Sequence, residues 1–213
     1  VNITGLGTAV ENPGLLQKFV IWLYKFCLKN VRVMFFQNAA NMKFCQERGM
    51  INGRPELLPG SGVNLSRFTP TKMPIGDVVK FICIGRAMKQ KGTGEYLDMA
   101  EIIKKEFPNT EFHVLGACDD GEYEERIKKM HKEGTIVYDG VTTDVRPYIH
   151  NVHCTVHASY YPEGMSNVLL ESCASGRAII TTSRPGCGEI VDEGINGFIT
   201  RPHDVEDLCN QVR

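Results

Sequence analysis

Apolar and polar positions along most of the chain fall into blocks of two kinds. Short, almost wholly apolar runs such as "VVKFICIG" and "HCTVHAS" are typical of strands buried on both faces. Between them lie longer runs with helical spacing, such as "TGEYLDMAEIIKKEF" and "SNVLLESCASG". The alternation continues through "EFHVLG", "GEYEERIKKMHKEG", "TIVYDG", "AIITT" and "GFIT". It predicts an α/β fold with a doubly wound, Rossmann-like parallel sheet and helices on both faces.

The first part of the chain follows this pattern less regularly. "VNITGLG" predicts a strand and turn, "VRVMFF" a strand, "AANMKFCQERG" a helix, and "ELLPGSGVN" a strand that ends in a glycine-rich turn. Neither end of the sequence has the features of a domain boundary. We therefore predict that residues 1–30 are the last strand and connecting helix of a missing N-terminal domain. Residues 31–213 are predicted to form a second domain that is truncated at its C-terminal end.

The segment Leu15 to Phe36 is the most lipid-like stretch of the chain. Lys18, Lys25, Lys29 and Arg32 interrupt it, which argues against a membrane span. As a helix it would carry its bulky residues on one face and its lysines on the other. Two interpretations stay open: a helix packed on its own or a missing domain, and an amphipathic surface that contacts a membrane.

Composition excludes several classes of protein. The 213 residues are 42% hydrophobic and 23% charged, which is ordinary for a globular protein, and a net charge of -1 gives little support to nucleic-acid binding. Eight cysteines occur without a C-x-x-C pair, so we expect buried, reduced thiols of a cytoplasmic protein. The six histidines lack zinc-site spacing, and we predict no protein-bound metal.

Three loops carry residues that suit a ligand. In an open parallel sheet the ligand binds beyond the carboxyl ends of the strands. The loops "GSGVN", which contains Gly62, "GRAMKQKG" and "YYPEGMSN" are all predicted there. In the second loop, Arg86 and Lys91 converge on a helix that Gly92 opens, and two cations at a helix N-terminus suit a diphosphate. Alone, the two cations are better explained as part of a solvated surface.

The third loop contains Glu163 and leads into a helix that carries Glu171. Its first backbone N–H groups are expected to face a ligand at the helix N-terminus; they belong to Gly164, Met165, Ser166 and Asn167. Glu171 lies about 7.5 Å further along the helix, where the hydroxyls of a ribose could satisfy its carboxylate. Glu163 would face a sugar. The simpler interpretations are an ion pair for Glu171 and a helix-dipole interaction for Glu163.

The segment "PEGMSNVLLE" resembles the E-x7-E motif of retaining glycosyltransferases of family 4, which have two facing Rossmann-like domains in the B-type glycosyltransferase fold. The resemblance extends through "FFQNAANMKF", "LLPGSGVNLSRF", "GRAMKQKG", "FHVLG", "YDGVTTDVRPYI" and "PGCGEIVDEGINGFI". It implies that residues 31–213 are the C-terminal, nucleotide-sugar-binding half and that residues 1–30 end an acceptor domain.

The resemblance also implies roles for individual residues. Arg86 and Lys91 would grip the donor diphosphate and Glu163 would orient the donor sugar; these three form the implied catalytic set. The implied donor-binding residues are Gly62, Val137, Tyr138, Gly140, Gly164, Met165, Ser166, Asn167 and Glu171. Among them, Glu171 would hold the ribose, and residues 137–140 would contact the base. No metal or other cofactor is expected.

The implied activity is transfer of a hexose from a nucleoside diphosphate sugar with retention of configuration, in surface or capsular polysaccharide synthesis. A saccharide or lipid-linked saccharide would be the acceptor through the missing domain, and the chain alone would be nearly inactive. We expect a cytoplasmic location at the inner face of the membrane, with peripheral membrane contact and no nucleic-acid partner.

Three other classes remain as alternatives. An epimerase or phosphorylase could use the same scaffold, and a non-catalytic subunit could keep the fold without activity. An NAD-dependent oxidoreductase requires G-x-G-x-x-G, which neither "GLGTAV" nor "GTGEYL" completes.

Overall fold

The computed structural model describes residues 1–3, 5–118 and 120–213, with only the backbone of Thr8 and Glu11. The strands are β1 (Asn2–Ile3), β2 (Val33–Phe36), β3 (Arg54–Leu57), β4 (Val79–Ile84), β5 (Thr110–Leu115), β6 (Val137–Gly140), β7 (Cys154–His157), β8 (Ala178–Thr182) and β9 (Gly197–Thr200). The helices are α1 (Thr8–Glu11), α2 (Leu15–Cys27), α3 (Ala39–Glu47), α4 (Thr93–Glu106), α5 (Gly121–Lys132), α6 (Arg146–His150), α7 (Asn167–Ala174) and α8 (Val205–Val212), with 3₁₀ turns at Lys89–Lys91 and Gly188–Ile190. This α/β architecture of parallel strands and helices confirms the predicted fold class. Thr4, which belongs to the predicted opening strand, lies outside the described residues.

The chain divides into two compact units. Unit 1 comprises Val1–Gly62, Tyr161–Asn167 and Arg184–Glu189, and unit 2 comprises Val63–Tyr160, Val168–Ser183 and Ile190–Arg213. The boundary predicted between residues 30 and 31 falls inside unit 1, because β2 pairs on one side with β1 and on the other with β3. That residues 1–30 continue a missing domain stays a prediction.

Unit 1 is built on a parallel sheet in the order β1-β2-β3. Its buried apolar residues form one cluster, made up of Ile3, Leu6, Val10, Met34, Phe36, Cys45 and Met50. The strand predicted at "ELLPGSGVN" begins earlier in the structure, at Arg54. Pro55 is tolerated there because β3 is an edge strand, where a missing N–H breaks no central ladder.

Helix α2 differs from its prediction in the arrangement of its faces. Val20, Ile21 and Tyr24 pack on the core of unit 1, while a bulky apolar stripe on another face is exposed. At 100° per residue, Lys18 and Lys25 flank this stripe rather than oppose it. Cys27, which was expected to be a buried thiol, is exposed because it lies near the end of this outer surface. None of the described helices combines the length and apolar character needed to cross a bilayer.

Unit 2 contains a six-stranded parallel sheet in the order β6-β5-β4-β7-β8-β9. One face packs against α4, α5 and α8 around Tyr96, Phe112 and Ile127, and the other against a smaller cluster that includes Ile82 and Ile149. From β4 the chain adds β5 and β6 on one side, and then returns to place β7 on the other side of β4. The strand order therefore reverses between β4 and β7, which is where open α/β sheets bind ligands.

Candidate functional site

The loops that follow β4 and β7 are joined at this switch point. The N–H of Tyr160 donates to the carbonyl of Gln90 at 2.9 Å. Gly92 has φ +71°, and a Cβ there would overlap the carbonyl oxygen of Ala158, so only glycine permits this approach. The structure thus brings the loop Gly85–Gly92, called the cationic loop, against Tyr160, the first residue of the loop Tyr160–Asn167, called the glutamate loop.

Arg86 and Lys91 both lie on the loop after β4. Arg86 is exposed and forms no ion pair or hydrogen bond with any described residue. Lys91 is half-buried in the 3₁₀ turn that leads to α4. Burial raises the pKa of the Cys83 thiol to about 12, and the positive charge of Lys91 opposes that rise. The structure therefore holds both cations at the carboxyl end of β4, where an anion would be bound.

Glu171 is a half-buried carboxylate in the second turn of α7. Burial raises its pKa above the usual value, while the charge of Arg67 acts in the opposite direction. Its side chain forms no ion pair or hydrogen bond with the described part of the chain. The simpler interpretation, an ion pair of Glu171, is therefore not supported by a direct contact. Only the charge of Arg67 acts on the carboxylate, and it does so at longer range. A ligand hydroxyl could supply the donors that the carboxylate lacks.

Val137, Tyr138 and Gly140 are three of the four residues of β6, the strand at one edge of the sheet, and Gly140 is its last residue. The Tyr138 hydroxyl donates to the carbonyl of Gly116 at 3.1 Å, and the N–H of Gly116 donates to the carbonyl of Gly140 at 2.8 Å. These bonds fix the carboxyl ends of β5 and β6 together. Gly140 thus lies at the same, carboxyl edge of the sheet as the loop that carries Arg86, with β5 between the two strands.

Unit 1 contains a cleft of about 480 Å³. It is lined by two groups of residues, one from the first third of the chain and one from the glutamate loop: Gly5, Leu6, Gly7, Gln37 and Ser61, and Tyr161, Pro162, Glu163, Gly164, Met165 and Asn167. Predicted residues Glu163, Gly164, Met165 and Asn167 therefore share one concave surface. Gly62 adjoins this lining at Ser61 but is not itself part of it.

The backbone N–H groups of the glutamate loop were predicted to face a ligand, and the structure agrees with this for some of them. The N–H groups of Gly164, Met165 and Asn167 donate no hydrogen bond to any described residue. Ser166 is different, because its N–H donates to the carbonyl of Gly186 at 2.8 Å. The expectation that the Ser166 N–H would be open to a ligand was therefore wrong: it is used to fix the loop.

By unit, the predicted site residues divide into two sets. Unit 1 holds Gly62, Glu163, Gly164, Met165, Ser166 and Asn167, and unit 2 holds Arg86, Lys91, Val137, Tyr138, Gly140 and Glu171.

Sequence reasoning missed the residues of unit 1 that hold the glutamate loop. Gln37 donates to Ser61 at 2.8 Å, and Asn38 donates to carbonyls of the glutamate loop. A local signal was present, because "FFQNAA" places an Asn between an apolar strand and a helix, as an N-cap requires. Nothing local indicated a partner more than 120 residues away.

Comparison with known proteins places these features in a family. The family model described as glycosyl transferases group 1 matches residues 79–213, more than half of the chain. The chain is 25% identical over 226 residues to the N,N'-diacetylbacillosaminyl-diphospho-undecaprenol alpha-1,3-N-acetylgalactosaminyltransferase of Campylobacter jejuni, covering 99% of this chain and 59% of that protein. It is 29% identical over 126 residues to the Vi polysaccharide biosynthesis protein VipC/TviE of Salmonella typhi, covering 59% of this chain and 21% of the relative.

Solved structures show the same fold. The HepE protein of Anabaena, crystallised in complex with UDP, superposes with a TM-score of 0.81 at 15% identity, covering 96% of this chain and 59% of that one. The chain thus spans little more than half the length of the Campylobacter relative and of HepE.

Proposed function

The chain belongs to the glycosyl transferases group 1 family, and from this membership we propose that it binds the nucleoside diphosphate sugar donor of a retaining, family 4 glycosyltransferase. The observation that carries the proposal is Glu171, a half-buried carboxylate on the helix that follows the switch point, which has no hydrogen-bond partner among the residues that the structure describes. Ribose hydroxyls would donate to it, and Arg86 and Lys91 would hold the diphosphate. HepE's complex with UDP supports a ligand of this class.

The proposed reaction transfers a hexose with retention. The bond between the anomeric carbon and the β-phosphate oxygen breaks, and its electron pair stays on the departing diphosphate. The oxygen of the acceptor hydroxyl bonds to the anomeric carbon from the face that the diphosphate leaves. The hydroxyl proton passes to the departing diphosphate, whose new negative charge makes it the base. Arg86 and Lys91 would stabilise the growing charge; a single fixed donor of this kind typically contributes roughly 3 kcal/mol. Glu163 would orient the sugar without a covalent bond to it.

For the longer protein we propose an acceptor that is a saccharide on a lipid carrier, in surface or capsular polysaccharide synthesis. The Campylobacter relative's name includes a diphospho-undecaprenol acceptor and the Salmonella relative's a polysaccharide, which supports this choice. We place the reaction on the cytoplasmic side of the membrane. Because the chain spans little more than half of the Campylobacter relative, we expect it to bind donor but to transfer sugar very slowly alone.

We also propose that α2 contacts an anionic membrane surface. Leu15, Phe19, Trp22 and Phe26 form an exposed stripe, in which the ring centroids of Phe19 and Trp22, and of Trp22 and Phe26, are 6.0 Å apart. Residues 12–46 include five cations and no Asp or Glu. Exposed aromatic side chains flanked by lysines fit the interface of a bilayer that carries negative headgroups.

Calorimetric titration tests the donor proposal. The chain is titrated with UDP, GDP and ADP and with their sugars, and the wild type is compared with Glu171→Gln. The glutamine keeps the size of the side chain but not the charge, so we expect affinity to fall roughly tenfold or more. Glu125→Gln, on the exposed face of α5, is the matched control and should leave affinity unchanged. Equal affinities for wild type and Glu171→Gln would exclude the proposed ribose contact.

A further inference from the structure

The side chain of Asn38 has two structural roles in unit 1. It is the N-cap of α3, where its Oδ1 accepts from the N–H of Asn41 at 2.8 Å. Its Nδ2 donates to the carbonyl of Gly164 at 2.6 Å and to that of Glu163 at 3.1 Å. Asn38 is only 2% exposed. A helix cap needs the oxygen alone, so the two bonds made by the nitrogen require a separate explanation.

Those two bonds determine the direction of two N–H groups. All peptide bonds described here are trans, and in a trans peptide the C=O and N–H point in opposite directions. The carbonyl of Glu163 shares its peptide with the N–H of Gly164, and the carbonyl of Gly164 shares its peptide with the N–H of Met165. By holding both carbonyls, Asn38 turns both N–H groups away from itself.

The N–H groups of Gly164 and Met165 have no partner among the described residues, and both residues line the cleft of unit 1. We propose that Asn38 is a positioning residue that presents these two backbone donors to an anionic group in the cleft. The inference rests on the proposed function for the identity of that group, which is the diphosphate of the donor. Donors fixed before the ligand arrives cost no reorganisation when it binds.

The surrounding residues are consistent with a loop held in one conformation. Gly186 has φ +86°, and a Cβ there would come within 2.6 Å of the carbonyl oxygen of Gly164. Its own carbonyl accepts from Ser166, and its N–H donates to Glu189 Oε2 at 2.7 Å. Asn41 adds only a long contact of 3.4 Å to the carbonyl of Glu163. Among these contacts, the Asn38 amide holds the two peptides whose N–H groups have no partner in the described part of the chain.

The test separates the two roles of Asn38 with Asn38→Asp. Aspartate caps a helix as well as asparagine does, but it sets a carboxylate oxygen against two carbonyls where a donor is required. Amide NMR signals and hydrogen exchange are recorded for Gly164 and Met165 in the full chain, together with the affinity for UDP, GDP and ADP. We expect both amide signals to shift, their exchange to quicken, and affinity to fall roughly tenfold, while the signals of α3 stay unchanged.

Asn41→Ala is the matched control, because it removes a donor to the same carbonyl but one at the limit of hydrogen-bond distance; we expect an effect several times smaller. If Asn38→Asp does not fold, Asn38→Ser replaces it, since serine also caps but has no amide. Unchanged signals for Gly164 and Met165 in the folded variant would overturn the inference. If the wild type binds no nucleotide, the proposed function fails for this chain, and the amide signals still decide whether Asn38 orients the loop.

Discussion

His113 on β5 has a carboxylate at each ring nitrogen. Its Nδ1 lies 2.8 Å from Asp139 Oδ2 and its Nε2 lies 2.7 Å from Glu111 Oε1, which Lys80 Nζ also approaches at 3.1 Å. Burial disfavours the charged imidazole, but hydrogen bonds and attraction from Asp139 and Glu111 outweigh it and raise the pKa of His113. The charged ring can donate to both carboxylates, whereas the neutral ring can donate to only one.

The sign of the resulting pH dependence follows from that raised pKa. The contribution of His113 to stability is fully present below the unfolded pKa, about 6.5, and is lost as pH rises through the higher folded pKa. Glu111, whose pKa is lowered, stays ionised above pH 5.5. We expect His113→Gln to cost about 1–3 kcal/mol at pH 5.5 and clearly less at pH 9.

Urea unfolding at both pH values measures this difference, with His131→Gln at an exposed position as the control. A cost for His113→Gln that is independent of pH would show that the pKa of the ring is the same in the folded and the unfolded protein.

At the residue scale, the sequence indicated which side chains could bind a ligand. It did not indicate which residues, distant in the sequence, those side chains and backbone groups contact in the fold. Glu171 was selected because a carboxylate among apolar residues needs a donor, and that argument used only near neighbours. Asn38 was missed because its partners, Glu163 and Gly164, lie 125 and 126 residues away. The N–H of Ser166 was misjudged for the same reason, since Gly186 reaches it through tertiary structure.

At the scale of elements, α2 shows where a periodic pattern is ambiguous. Its apolar residues occupy two faces, one against the core of unit 1 and one exposed. Spacing along the sequence counts both as apolar and therefore could not show which one is buried. The buried faces of the strands of unit 2 were easier to predict. Runs such as "FICI" are apolar at consecutive positions, so both faces of the strand are expected to be buried.

Trp22 provides a direct test of the proposed membrane contact. It is the only tryptophan of the chain and is 58% exposed, so its fluorescence reports on the α2 surface alone. We expect its emission to shift to shorter wavelength when vesicles rich in phosphatidylserine are added, and not with phosphatidylcholine vesicles. Lys18→Glu/Lys25→Glu should abolish the shift, because it reverses the charge beside the aromatic stripe.

The matched control is Lys128→Glu/Lys132→Glu on α5, which changes the net charge equally at another surface. An emission spectrum that anionic vesicles leave unaltered would rule out membrane contact by this helix.

At the scale of the whole molecule, charge is balanced, so an anionic donor must be held by local groups. The formal net charge is -1, and the candidate cations are Arg86 and Lys91. We expect UDP affinity to be the same in EDTA as in millimolar Mg²⁺, because in the proposed site these side chains and the loop N–H groups would neutralise the diphosphate without a metal.

Titration in both buffers measures this, and Arg86→Ala/Lys91→Ala should weaken binding at least tenfold in each. Binding that appears only with Mg²⁺ would refute the expectation that no metal is used.

The chain passes between unit 1 and unit 2 at residues 62–63, 160–161, 167–168, 183–184 and 189–190. Asn38 and the glutamate loop that it holds are therefore encoded far apart yet belong to one unit. An exchange of gene segments between relatives could therefore separate Asn38 from the loop whose carbonyls it binds. A recombinant that acquired its first 62 residues from a relative would keep its own Glu163 and Gly164, but position 38 would carry whichever residue the relative has there. We expect such chimaeras to fold where that residue can cap α3, and to hold the Glu163 and Gly164 carbonyls only where it also carries an amide.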